Sequence, residues 1–169
     1  FFENGKVKII TEKIPDSDVM YCRMFADNGR VVIAEGKYVG HERDSLWMFY
    51  DEKGIKISSD NYIVGKRQGT SYIYYPSGIV GESLEWSDGV KNGPWLQYYA
   101  DGKRKVAGRY KDGDLDGEIM FYFPSGMMRL SGYYFSGTRE GLWIHYDEDG
   151  NVLDKTEYIN GFPQKTQNN

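Results

Sequence analysis

Short apolar and aromatic runs alternate along the whole chain with glycine-centred polar breaks, and Leu46 to Tyr50 is typical of the longest such run. Trp95 to Tyr99 carries strand-favouring aromatics and is followed by Ala100-Asp101-Gly102, a turn signal. Pro76-Ser77-Gly78 and Pro124-Ser125-Gly126 repeat that chemistry, with Pro or Ser entering the turn and Gly taking positive φ. A second strand is predicted over Lys103 to Lys111, after which Asp112-Gly113 and Gly117 return the chain to the next hairpin. A glycine or β-branched residue interrupts every window long enough for a helix.

The breaks are periodic. Gly69, Gly93, Gly117 and Gly141 stand 24 residues apart, as do Gly54, Gly78, Gly102, Gly126 and Gly150, and Gly65, Gly89, Gly113, Gly137 and Gly161. Fourteen of the 21 glycines therefore lie in three registers of one period, which identifies a repeat array. Tyr50, Tyr74, Tyr98, Tyr122 and Tyr146 keep the same interval, as do Tyr38, Tyr62, Trp86, Tyr110, Tyr134 and Tyr158. Trp47, Trp95 and Trp143 share a register with Ser71 and Ile119. The organisation expected is a single repeat domain over residues 1–169. It has a degenerate or truncated repeat at 1–19, repeats at 20–44, 45–68, 69–92, 93–116, 117–140 and 141–164, and a tail at 165–169. If the hairpins join, they form one elongated, twisted antiparallel sheet, a single-layer all-β solenoid.

Strand parity assigns the faces. Met48/Tyr50, Tyr72/Tyr74, Leu96/Tyr98, Met120/Tyr122 and Ile144/Tyr146 share one face, apolar in every repeat and so expected to be packed. The opposite face carries Trp47, Phe49, Trp95, Gln97, Trp143 and His145, and is expected to stay partly open.

The unit, G-x-W-x-x-Y-Y-x-x-G-x5-G-x-Y-x-x-G, resembles the MORN repeat (membrane occupation and recognition nexus) in its bacterial variant form. Gly108, Tyr110, Gly113 and Gly117 match the family core, and Gly132, Tyr134, Gly137 and Gly141 match it again. The period of 24 and the tryptophan in place of a glycine resemble the variant repeats of the YwqK-like antitoxin family. This resemblance implies a hairpin-repeat sheet and a non-enzymatic binding role, with no catalytic residue and no defined partner.

Composition narrows the chemistry. Net charge is −4, which disfavours nucleic acid and repels anionic membranes, so contact with a membrane surface is not favoured. No apolar run approaches the ~18–20 residues of a membrane span. One cysteine, Cys22, and two histidines, His41 and His145, exclude a disulfide framework and leave little for metal or nucleophilic catalysis. Asp112-Gly113-Asp114-Leu115-Asp116-Gly117 opens like a calcium loop, yet Phe123 stands where the bidentate glutamate belongs, so an inter-hairpin turn is expected and no metal. The periodic glycines carry no phosphate-loop meaning, and no cofactor is implied.

The function expected is a non-catalytic protein-binding module, antitoxin or immunity-like, whose partner is another protein. The binding stripe expected is Trp47, Phe49, Tyr75, Trp95, Tyr99, Phe121 and Trp143, with Asp51 and Asp147 on its rim. The alternative is a carbohydrate or lipid-surface binder using the same aromatic face. The chain opens at Phe1 without an initiator Met. Export to the periplasm or cell envelope is expected if a signal peptide preceded it, and the cytoplasm otherwise.

Overall fold

The structure, a computed structural model, describes residues 1–164; the expected tail at 165–169 lies outside the described residues. Every regular element among the described residues is a strand. In chain order they are β1 (Ile9–Lys13), β2 (Val19–Phe25), β3 (Val32–Val39), β4 (Glu42–Tyr50), β5 (Lys56–Ile63), β6 (Lys66–Arg67), β7 (Gly69–Tyr74) and β8 (Val80–Ser87). There follow β9 (Val90–Tyr98), β10 (Arg104–Lys111), β11 (Asp114–Leu115), β12 (Gly117–Tyr122), β13 (Met128–Phe135), β14 (Thr138–Tyr146), β15 (Val152–Ile159) and β16 (Phe162–Pro163). They form one open antiparallel sheet in which each strand neighbours the next, with two-residue β6 and β11 attached beside β5 and β10. The all-β hairpin fold expected from the glycine period is the fold observed. Two compact units can be distinguished, one of Phe1–Val80 with Trp86–Gly89, the other of Gly81–Glu85 with the residues from Val90 onward.

Each glycine register has its own backbone task. Gly54, Gly78, Gly102, Gly126 and Gly150 take positive φ at the wide hairpin turns, where Gly102 N–H donates to Tyr99 O at 2.9 Å. The second register closes two-residue turns with both residues left-handed: Val64-Gly65, Asp88-Gly89, Asp112-Gly113, Ser136-Gly137 and Asn160-Gly161. The third register, Gly69, Gly93, Gly117 and Gly141, also has positive φ, and Ser45 occupies it in β4 with φ 60°.

The packed face is the reverse of the one expected. Met48, Tyr50, Tyr72, Tyr74, Leu96, Tyr98, Met120, Tyr122, Ile144 and Tyr146 are all half-buried. The deepest side chains are Trp47, Trp143 and Ile119, exposed by 0 %, 1 % and 2 %. In the first unit Trp47 packs with Cys22, Ala34 and Tyr62, flanked by Met24, Tyr38 and Phe49. In the second, Val106, Ile119 and Trp143 form the core, with Trp95, Leu115, Phe121, Leu130, Tyr134 and Tyr158 against it.

The reason lies eleven residues upstream of each tryptophan. A Cβ on Gly36 would stand 2.6 Å from Trp47 Cγ, and one on Gly132 2.7 Å from Trp143 Cε3. Each indole therefore lies on the bare backbone of the preceding strand, closer than any side chain there would allow. Leu84 takes the corresponding place before Trp95 and is itself buried, and Trp95 is only half-buried. Asp60 takes it before Ser71, and its carboxylate accepts the Ser71 hydroxyl hydrogen bond. Small faces large, and polar faces polar.

Candidate functional site

Two register-equivalent clusters stand out, one in each unit. In the first, the Arg43 guanidinium lies 4.6 Å over the Trp47 ring, 5.5 Å from the Phe49 centroid and 5.6 Å from that of Tyr62. Arg43 Nη1 donates to Tyr62 Oη at 3.4 Å, and Tyr38 meets Trp47 edge-on at 4.9 Å. Trp47 is thus enclosed by backbone on one side and guanidinium on the other, and its Nε1–H donates to Lys37 O at 2.9 Å. In the second, Arg139 lies 4.5 Å over Trp143 and 5.3 Å over Tyr158, and its Nη1 donates to Tyr158 Oη at 3.1 Å. Tyr134 meets Trp143 at 90° and 5.2 Å.

Local structure holds each arginine in place. Tyr38 pairs across the strands with Arg43, and Tyr134 with Arg139. The two-residue turns stack on the same residues: Gly65 N–H donates to Arg43 O at 2.9 Å, and Gly161 N–H to Arg139 O at 3.0 Å. Burial works against the Arg43 charge, but the Tyr62 and Tyr38 hydroxyls outweigh it and hold the guanidinium pKa above its ordinary value. For Arg139 the Tyr134 hydroxyl acts in the same direction, against burial and with help from Tyr158.

The cation register extends to Arg67 and Lys91 at the 24-residue interval, with Leu115 as the exception. Lys91 sits 4.7 Å over Tyr110. Arg67 lies 4.8 Å over Trp86 and pairs with buried Asp60, Nε to Oδ1 at 3.3 Å.

The stripe expected from the sequence is only partly assembled. Trp47 and Trp143 are buried core residues, a correction to their placement on an open surface. Phe49 is half-buried beside Trp47, with centroids 6.3 Å apart. Trp95 and Phe121 are half-buried against the core containing Trp143, with Trp95 5.6 Å from Tyr110 and Phe121 under Arg129. Tyr75 and Tyr99 are not part of either cluster. They open wide turns, where Tyr75 N–H donates to Ile79 O at 2.8 Å and Tyr99 Oη donates to Tyr122 O at 2.6 Å. Asp51 and Asp147 cap such turns, accepting the Ile55 and Asn151 N–H groups at 2.9 and 2.8 Å. Hydrogen bonds from Asn151 foremost hold the Asp147 carboxyl below its usual pKa.

The residues with reactive groups are otherwise engaged. Cys22 is buried, and burial raises its thiol pKa against the opposing influence of Arg43. His145 Nδ1 stands 3.7 Å from Asp154 on an exposed strand surface. Asp112 bends the turn at φ 51°, while Asp116 accepts the Ser136 N–H at 3.2 Å. Among the described residues no three His, Cys, Asp or Glu side chains are grouped to hold a metal, and no helix is long and apolar enough to cross a membrane.

The arginine register keeps the 24-residue interval, but a single basic residue in sequence says nothing of the rings beside it. Gly132 reads there as a motif position, not as the floor for an indole.

No curated protein matches the chain. Two stretches, residues 91–112 and 139–160, match the family model described as MORN repeat variant. They cover the β9–β10 and β14–β15 hairpins. These hairpins are thus similar to MORN-variant repeats, modules that are generally non-catalytic and often mediate binding.

Proposed function

We propose that this chain is a non-catalytic protein-binding module that masks a surface of one protein partner, as an antitoxin or immunity protein does. The observation that carries this reading is half-open aromatic surface next to a guanidinium, present in each unit: Phe49 beside Arg43 in the first, Phe121 under Arg129 in the second, where Trp95 is half-buried against the same core. Rigid aromatics and arginine are the side chains that most often anchor protein interfaces. A sugar-stacking role is less well supported, because stacking needs a bare ring face. Trp47 and Trp143 have one face on backbone and the other under arginine.

The test is capture from source-cell extract, followed by purification of the captured protein and titration calorimetry against it. One protein should bind at a fixed ratio, and Trp95→Tyr with Phe121→Leu, which keep apolar bulk against the core, should weaken binding tenfold or more in a chain that still melts cooperatively. Undiminished affinity in the double variant, or binding to a glycan array in place of protein, would overturn the reading.

A further inference from the structure

We infer that Arg43 and Arg139, each cradled by two tyrosines and a tryptophan, are each a docking point for a carboxylate side chain of the protein partner. This rests on the protein-binding reading above and names the chemistry that the partner presents.

The argument starts from what the two arginines lack. Among the described residues, neither has a carboxylate within salt-bridge distance, whereas Lys37, Lys66, Arg67 and Lys103 each do. Their acceptors are tyrosine hydroxyls, Tyr62 and Tyr38 for Arg43 and Tyr134 and Tyr158 for Arg139. A hydroxyl that accepts from arginine keeps its own proton, which can be donated to an incoming oxygen. The guanidinium keeps further N–H donors in a fixed planar fork, the geometry that binds a carboxylate through two bonds. Stacking on the indole holds that fork still before any ligand arrives.

The fold also holds an internal precedent. Arg67 occupies the same register where the indole is replaced by Ser71 and the glycine by Asp60. There the carboxylate binds the arginine through both oxygens, Oδ1 to Nε at 3.3 Å and Oδ2 to Nη2 at 3.3 Å. A carboxylate in reach of this register is bound. The net charge of −4 disfavours an anionic membrane as the source of the anion, and the Asp60–Arg67 pair is the internal example of a planar carboxylate seated on this register.

The experiment is an NMR titration of the full chain, ¹⁵N-labelled and observed at the arginine Nε–H resonances, with hexaglutamate, inorganic phosphate and hexalysine as probes. Hexaglutamate should give saturable shifts at Arg43 and Arg139 and leave Arg67, already paired, unmoved. Tyr62→Phe and Tyr158→Phe, which keep the rings, should weaken the response at the adjacent arginine at least threefold. Arg43→Lys, followed at the Trp47 Nε1–H resonance in the same cradle, should weaken hexaglutamate binding there at least fivefold while preserving the fold, because Lys91 already occupies this register over Tyr110. Equal shifts at Arg67, phosphate binding as strong as hexaglutamate, or no shift at either arginine would overturn the proposal. No partner protein enters this measurement. A flat titration therefore leaves the aromatic interface standing, and failed partner capture leaves the carboxylate sites standing.

Discussion

Gly132 lies directly under the indole of Trp143, and a Cβ there would approach Cε3 to 2.7 Å and reach Cδ2 and Cε2 sooner still. The pair is one unit of packing: a side chain missing from one strand is the space that the next strand fills. The same relation joins Gly36 to Trp47. It explains how adjacent strands of one sheet can enclose a tryptophan completely.

Trp143→Ala should cost about 3–5 kcal/mol, the range for truncating a buried aromatic, and more than Tyr122→Ala on the half-buried face. Gly132→Ala should be severely destabilising, whereas Gly108→Ala should be tolerated, since its Cβ would meet Ile119 at an ordinary 3.4 Å. Urea unfolding of the four variants gives the order directly. A larger loss for Tyr122→Ala than for Trp143→Ala would return the core to the other face.

Val64 is β-branched, 71 % exposed and held at φ 47°, in a turn whose equivalents are Asp88, Asp112, Ser136 and Asn160. Left-handed backbone costs an L-residue roughly 1–2 kcal/mol, and least for Asn or Asp. Val64→Asn should therefore raise stability by about 1 kcal/mol. Ser45→Gly removes the same kind of strain but also the Ser45 Oγ–H bond to Asp44 at 2.8 Å, so its gain should be smaller. Chemical denaturation checks both, and a loss of stability in Val64→Asn would contradict the turn geometry.

Tyr50 should ionise well above the ordinary tyrosine range. Burial first, then its 2.6 Å hydrogen bond to Glu35 and that carboxylate's charge, push its pKa from 10.0 to about 12. The folded state holds this proton more tightly than the unfolded chain. The contribution to stability is thus complete below pH 10 and is lost as pH rises through 12. Absorbance titration near 295 nm should lose one late-titrating phenol in Tyr50→Phe, and that variant should lose less stability between pH 10 and 12 than the parent.

Turns and strands were legible because glycine is demanded by backbone angle, and the intervals of Gly65, Gly78 and Gly93 mark three positions of positive φ in the repeat. The faces were not legible by the same logic. Tyr122 belongs to a register without exceptions, which reads as a packing position, yet it is half-buried. The register of Trp143 admits serine and isoleucine, which reads as freedom, yet it is the deepest. Variation there is matched by the position eleven residues earlier, and a single register viewed alone conceals that coupling. The arginine cradles were hidden for a related reason: Arg43 gains its meaning from Trp47 on its own strand and from Tyr38 and Tyr62 on the strands to either side.

A chain of near-identical hairpins can also assemble one hairpin out of step, since neighbouring units offer almost the same shape to dock against. The Asp60–Arg67–Ser71 group makes that error costly. Displaced by a whole period, the Asp60 carboxylate would meet an indole in place of the Ser71 hydroxyl, with only a cation of the same register still in reach. Leaving a buried acceptor short of its partner costs the misassembled chain about 1–3 kcal/mol. The one polar interruption in the first unit's apolar row thus gives an otherwise uniform ladder a numbered rung, from which the hairpins on either side can be counted.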